Sequence, residues 1–113
     1  MVHVMLPLQT HHNVRGPLNK IYNGEINFIV LLDREFVDLK SSLWTSDIDR
    51  ALKHAKQIVN ESVARIVSIG NPLVTSCTLQ LALKYFDEVQ LIIYDTTSKQ
   101  YRIWSFPDMV VLN

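Results

Sequence analysis

Apolar and polar positions alternate with two different periods along this chain. Ile48, Ala51, Leu52, Ala55, Ile58 and Val59 recur at helical spacing and draw one apolar stripe. Ser46 stands where a helix cap is expected, and Asp49 three residues later completes a pattern like a capping box. Asp47 and Asp49 fall near the positive end of that helix dipole, where acids are favoured. The pattern predicts a helix from Ser46 to Asn60, with Arg50, Lys53, His54 and Lys56 off the stripe. Upstream, "EINFIVLLD" (Glu25 to Asp33) reads as a buried strand, and "EFVDLK" (Glu35 to Lys40) alternates like a second one. Asp33-Arg34 would close a tight hairpin between them, although the Asn-Gly or Asp-Gly pair that favours such a turn is missing.

Downstream, "ARIVSIG" is a short apolar strand that runs into Gly70, Asn71 and Pro72. Asparagine at a helix cap followed by proline at the first helical position is a strong start signal. A helix is therefore predicted over Pro72 to Phe86, with Leu79, Ala82, Leu83 and Phe86 on its apolar face and Cys77 and Leu81 widening it. "VQLIIYD" and "QYRIWSF" read as strands on either side of the turn "TTSK". Pro107-Asp108 breaks the second, and "MVVL" forms a last short strand. Residues 1–24 carry two turn signals, Gly16-Pro17 and Asn23-Gly24, and no clear period, so they read as an extended arm or loop before a single domain over 25–113. The fold class expected is an α/β sandwich: a mixed sheet with both helices on one face. Its core order is strand-helix-strand-helix-strand-strand, preceded by an extra strand and the arm.

Charge and cysteine content narrow the picture. The chain has 113 residues, with eleven Lys and Arg against eleven Asp and Glu. A neutral chain lacks the broad positive field of a non-specific nucleic-acid binder, while a local basic patch or a basic partner stays open. Cys77 is the only cysteine, which excludes an internal disulfide and points to an intracellular setting. The apolar start stops at Pro7 and is too short for a membrane span.

Candidate chemistry is sparse. Gly70 and Asn71 open a helix whose first amides are a candidate anion site, but Pro72 removes one donor, and both the G-x-x-x-x-G-K-[ST] and G-x-G-x-x-G patterns are absent. The other reading of this turn is plain architecture. Lys40, Arg50, Lys53 and Lys56 either line a phosphate track or form a solvated helix face. His11-His12 has no partners at metal-ligand spacing, so no metal site is expected, and no cofactor motif is present. Trp44, Tyr94, Tyr101 and Trp104 either stack on bases or serve as core and dimer contacts. An enzyme built on Ser68, Asn71 and His54 ranks last, because no acid-base pair accompanies them.

"IVSIGNPLVTSCTLQLALKYF", with "EFVDLKSSLWTSDIDRALKHAKQIV" before it and "VQLIIYDTTSKQYRIWSF" after it, resembles the Alba superfamily. The nearest likeness is to the small Alba-type subunits of eukaryotic ribonuclease P and ribonuclease MRP. The resemblance covers Glu35 to Phe106. It implies a non-catalytic RNA- or DNA-associated subunit, acting as a homodimer or beside a more basic protein partner, and nuclear if of the ribonuclease type. It would place phosphate contacts at Lys40, Arg50, Lys53 and Lys56. The chain departs from the pattern in having one lysine, Lys40, in the loop where archaeal members carry a pair, and in its neutral charge. The alternative function is a small protein-interaction or regulatory domain that binds no nucleic acid.

Overall fold

A computed structural model describes all of residues 1–113. Its elements run β1 (Val2–Leu8), α1 (Arg15–Asn19), β2 (Ile26–Leu32), α2 (Leu43–Val59), β3 (Val63–Val67), α3 (Pro72–Ala82), β4 (Glu88–Asp95), β5 (Gln100–Phe106) and β6 (Val110–Val111). The six strands form one mixed sheet in the order β2-β1-β3-β4-β5-β6. The first four strands in that order are parallel, and β5 and β6 add on antiparallel. The expected α/β sandwich is what the chain forms. From β2 onward the order is strand, helix, strand, helix, strand, strand and the short β6, which is the order read from the pattern without the second strand expected at Glu35 to Lys40.

Two readings of the N-terminal half are corrected. Residues 2–8 are not part of an arm: β1 is a central strand, paired from Val2–Ile26 to Leu8–Leu32 on one side and at Met5–Ile66 on the other. Val4, Met5, Leu6 and Leu8 are all buried because both faces of a parallel sheet are covered, and that removes the alternation by which a half-exposed strand is recognised. Pro7 is tolerated one residue from the strand's end, where its missing N–H costs little of the ladder. The second correction is the hairpin. Glu35–Lys40 is not a strand, and "EFVDLK" belongs to a loop that crosses the end of the sheet towards α2. Phe36 is 81% exposed there, so the alternation in this segment follows no buried face. Asp38 accepts from the Lys40 N–H at 3.0 Å and turns the loop. The extra strand of this fold is therefore β1, and it enters the middle of the sheet.

The helices divide between the two faces. Trp44, Ile48, Leu52, Ala55 and Val59 of α2 share one core with Val74 and Ala82 of α3 and with Met5, Ile66 and Val89 of the sheet. Val14 and Leu18, at the single turn of α1, pack on Val4, Leu6, Val67, Ile92 and Ile103 on the opposite face. The two long helices thus lie together, as expected. α2 begins one turn earlier than its pattern implied, with Ser42 at the cap, so Ser46 and Asp49 sit inside the helix and make no capping box. Asn60 ends it in a left-handed conformation, φ 50°. Ile58, read as part of the stripe, is exposed, and Trp44 takes a place on it.

In α3 the Asn71 side chain accepts from the Leu73 N–H at 2.9 Å, and Pro72 occupies the first helical position. The helix stops at Ala82 rather than Phe86. Its buried line is Val74, Thr75, Thr78 and Ala82, while Leu79 and Leu83 are only half-buried. Thr78 enters the core because its hydroxyl donates to the Val74 carbonyl at 2.7 Å, which satisfies it within the helix.

Candidate binding crevice

The chain winds from β1 to β2 on one side of the sheet and then crosses to β3 on the other side of β1. The carboxyl ends of β1 and β3 therefore lead away from each other, and in open parallel sheets such a point leaves a crevice. Here the crevice is bounded by residues 9–13 after β1, 35–39 after β2 and 68–71 after β3. Tyr94 near the end of β4 and Tyr101 near the start of β5 complete it.

Gly70 lies at the centre. Its φ is +72°, a conformation in which other residues are strained, and a side chain there would meet only Leu8 Cδ1 at 3.5 Å. The turn leaves the backbone N–H groups of Ile69, Gly70 and Asn71 without a hydrogen-bond acceptor in the chain. The helix start itself is already occupied: Leu73 N–H goes to the Asn71 side chain and Val74 N–H to the Asn71 carbonyl at 3.0 Å. The donors of the candidate anion site at Gly70 and Asn71 are thus the turn amides ahead of α3, not the first turn of the helix.

Polar and aromatic groups converge on this turn. Thr10, His12, Asn13 and Ser68 line the side of the crevice that reaches Tyr94 and Tyr101. The two rings meet edge to face, centroids 5.3 Å apart at 71°. Burial, and then the neighbouring Tyr94, raise the Tyr101 phenol above its ordinary value, whereas Tyr94 is 48% exposed and keeps an open face. On the other side, Gln9 Nε2 donates to Asp33 at 2.6 Å, the Gln9 N–H to the Arg34 carbonyl at 2.9 Å, and His11 contacts Glu35. These bonds stitch the loop after β2 to the end of β1.

The basic residues singled out from the sequence lie elsewhere and do not form one row. Lys40 is in the loop before α2. Arg50, Lys53 and Lys56 follow one another at three-residue steps, which on an α-helix turn each side chain by about 60° from the last. Arg50 is 3.5 Å from Asp47, and Lys56 is turned in over the Phe86 ring, 4.8 Å from its centroid, donating to the Glu61 carbonyl. Arg50 and Lys53 rim an open polar depression between α2 and α3 together with Asp49 and Lys84. Asp49 there accepts from Lys84 Nζ at 2.8 Å and from the Tyr85 hydroxyl at 2.9 Å. Both bonds hold the Asp49 carboxyl below its ordinary pKa, and the first raises that of Lys84.

His54 is exposed on α2, apart from Ser68 and Asn71. Trp44 is a core residue, and Trp104 is half-buried on β5. No group of three or more His, Cys, Asp or Glu side chains is arranged to hold a metal ion, and no helix is long and apolar enough to cross a membrane. The residues that sequence reasoning missed, Thr10, His12 and Asn13, follow directly on the apolar run that forms β1. Reading that run as a strand would have placed them beside Gly70. Comparison of the chain with protein-family models, with curated proteins and with solved structures found no match.

Proposed function

We propose that the protein is a non-catalytic binding module for a nucleotide-type ligand, with its site in the crevice where β1 and β3 end. The observation that carries the reading is the run of amides at Ile69, Gly70 and Asn71 that find no acceptor in the chain, at a crevice also lined by the half-exposed Tyr94. Consecutive free amides suit a phosphate oxygen, and an exposed ring suits a base. Ligands of open parallel sheets collect at such a switch point, an argument by analogy of architecture. Association with RNA, which the Alba-type resemblance implied, fits this reading when a strand offers its phosphates and bases singly.

A second reading keeps RNA phosphates on the α2 side. It is favoured by the grouping of Arg50, Lys53 and Lys84 about one depression, and it would suit a subunit working as a dimer or beside a more basic protein. Titration of ¹⁵N-labelled protein with AMP separates the two. In the crevice reading the amides of Ile69, Gly70 and Asn71 shift on saturation, and Tyr94→Ala weakens binding about tenfold, within the range for loss of one stacked base. Arg50→Ala/Lys53→Ala leaves that binding unchanged. If those amides do not move and the double substitution instead flattens the salt dependence of RNA binding, the α2 reading replaces it. Each lost phosphate contact should then lower the slope of log affinity against log salt by about 0.7 to 0.9.

A further inference from the structure

The crevice is one groove with three compartments that meet at Gly70. At one end a space of about 450 Å³ is walled by Tyr94, Tyr101, Val14 and Pro17. At the other end a space of about 370 Å³ is walled by Phe36, Leu39, Val37, Leu8 and Val74. A narrower trough of about 190 Å³ joins them, bounded by Thr10, His11, His12, Glu35, Ile69 and Gly70. Each end thus offers an aromatic ring, the Phe36 end in a mainly apolar setting and the Tyr94 end with Thr10, Asn13 and Ser68 about it, and the middle is polar with free amide donors. Both end spaces fall in the range of small-molecule sites, about 300 to 1,000 Å³.

Charge restricts what can lie across them. No Lys or Arg lines any of the three compartments, and the carboxylate of Glu35 stands where the trough opens into the Phe36 end. A triphosphate would bring several negative charges with no cation to meet them, and desolvating it there would be costly. A phosphodiester carries a single negative charge, which turn amides and a histidine can meet.

We infer that the ligand is a dinucleoside phosphodiester, with one base at the Tyr94 end, the other at the Phe36 end and the linking phosphate over the amides of Ile69, Gly70 and Asn71. The inference rests on the crevice being the binding site. It names the class of ligand that two ring-lined ends and a weakly charged middle accept. Phe36, 81% exposed and contributing to no core, acquires a role as the stacking platform of the second base. The same chemistry occurs in a free dinucleotide and in one step of a single-stranded nucleic acid.

The intact ¹⁵N-labelled protein is titrated with ApA, AMP, ATP and a ten-residue oligo(A) RNA. Adenine serves as the base because stacking on aromatic side chains tolerates any base. ApA should bind about tenfold or more tighter than AMP, the gain expected from a second stacked base, and ATP should bind no tighter than AMP. Phe36→Ala should bring ApA down to the affinity of AMP and leave AMP unchanged, whereas Tyr94→Ala should weaken both. The ten-residue RNA binding tighter than ApA identifies a single strand as the source, and equal or weaker binding identifies the free dinucleotide. Binding of ATP in preference to ApA, or of ApA equally by wild type and Phe36→Ala, overturns the dinucleotide assignment while the crevice reading stands. Failure of all four probes to move the amides of residues 69–71 overturns the crevice reading itself.

Discussion

The outer side of α2 and the crevice at the carboxyl ends of β1 and β3 are opposites in how they treat polar groups. α2 carries much of the chain's charge, yet much of it is answered within the molecule: Asp47 by Arg34 and Arg50, Asp49 by Lys84, Lys56 by the Phe86 ring and the Glu61 carbonyl. The crevice carries little charge, yet three successive amides have no acceptor in the chain and the Tyr94 ring is half-exposed. A cluster of charges is conspicuous in a sequence, but a binding site is made by groups whose partners are missing, and those are visible only once the chain has folded.

The largest effect that would break this contrast is loss of the core under α2. Leu52 is fully buried, and Leu52→Ala should cost about 2–5 kcal/mol. Leu83, only half-buried, should cost clearly less when truncated in the same way. Chemical denaturation of both variants measures the difference, and equal losses would mean that the end of α3 packs more deeply than described.

Next come the two residues that shape the crevice turn. Gly70→Ala should destabilise by about 1–2 kcal/mol, the cost of a side chain in the left-handed region, since the space around it is open. Asn71→Ala should cost about 1 kcal/mol by freeing the Leu73 amide. Denaturation midpoints give both values. A neutral Gly70→Ala would show that the turn is not held at positive φ.

The smallest effect is a pH dependence that belongs to the contact of α2 with the segment after α3. Hydrogen bonds from Lys84 and Tyr85 lower the folded-state pKa of Asp49. Its contribution to stability is therefore present above the unfolded aspartate pKa and is lost as pH falls through the lower folded value. Lys84 is raised by the same bond, so its contribution is full below the unfolded lysine pKa and is lost as pH rises through the folded one. Lys84 is exposed and Asp49 only half-buried, so solvent screening keeps the effect small. Asp49→Asn should flatten the acid limb of stability against pH while leaving ligand binding in the crevice untouched. Equal acid limbs in wild type and variant would mean that the Asp49 bonds to Lys84 and Tyr85 add nothing to stability.

The parts of the fold read correctly from the sequence are those with local signals. The α2 stripe, the Asn71-Pro72 helix start and the strands around "TTSK" each state their structure within a few residues. Burial set by distant partners was misread. Val4, Met5 and Leu6 lose their alternation because β2 and β3 flank β1 and helices cover both faces. Thr75 and Thr78, outside the apolar face read for α3, are core, with the Ser68 hydroxyl 3.4 Å from Thr75 and the Val74 carbonyl accepting from Thr78. The candidate site was half legible. Gly70 and Asn71 announced a turn, whereas Thr10, His12 and Phe36 reach it from segments that looked like an arm and a strand.

The place of β1 also dictates when the crevice can exist. Met5 pairs with Ile29 on one side and with Ile66 on the other, so the second neighbour of the first strand arrives only after more than half the chain has been made. Contacts so far apart in sequence are slow to form, because long loops must close before any pairing rewards them. The crevice walls come from residue 8 to residue 101, and no fragment of the chain short of that span encloses them. Occupancy of the groove is therefore tied to completion of the whole sheet. A ligand there would raise the melting temperature of the entire chain as a single cooperative unit, growing with the logarithm of its concentration once the site is saturated.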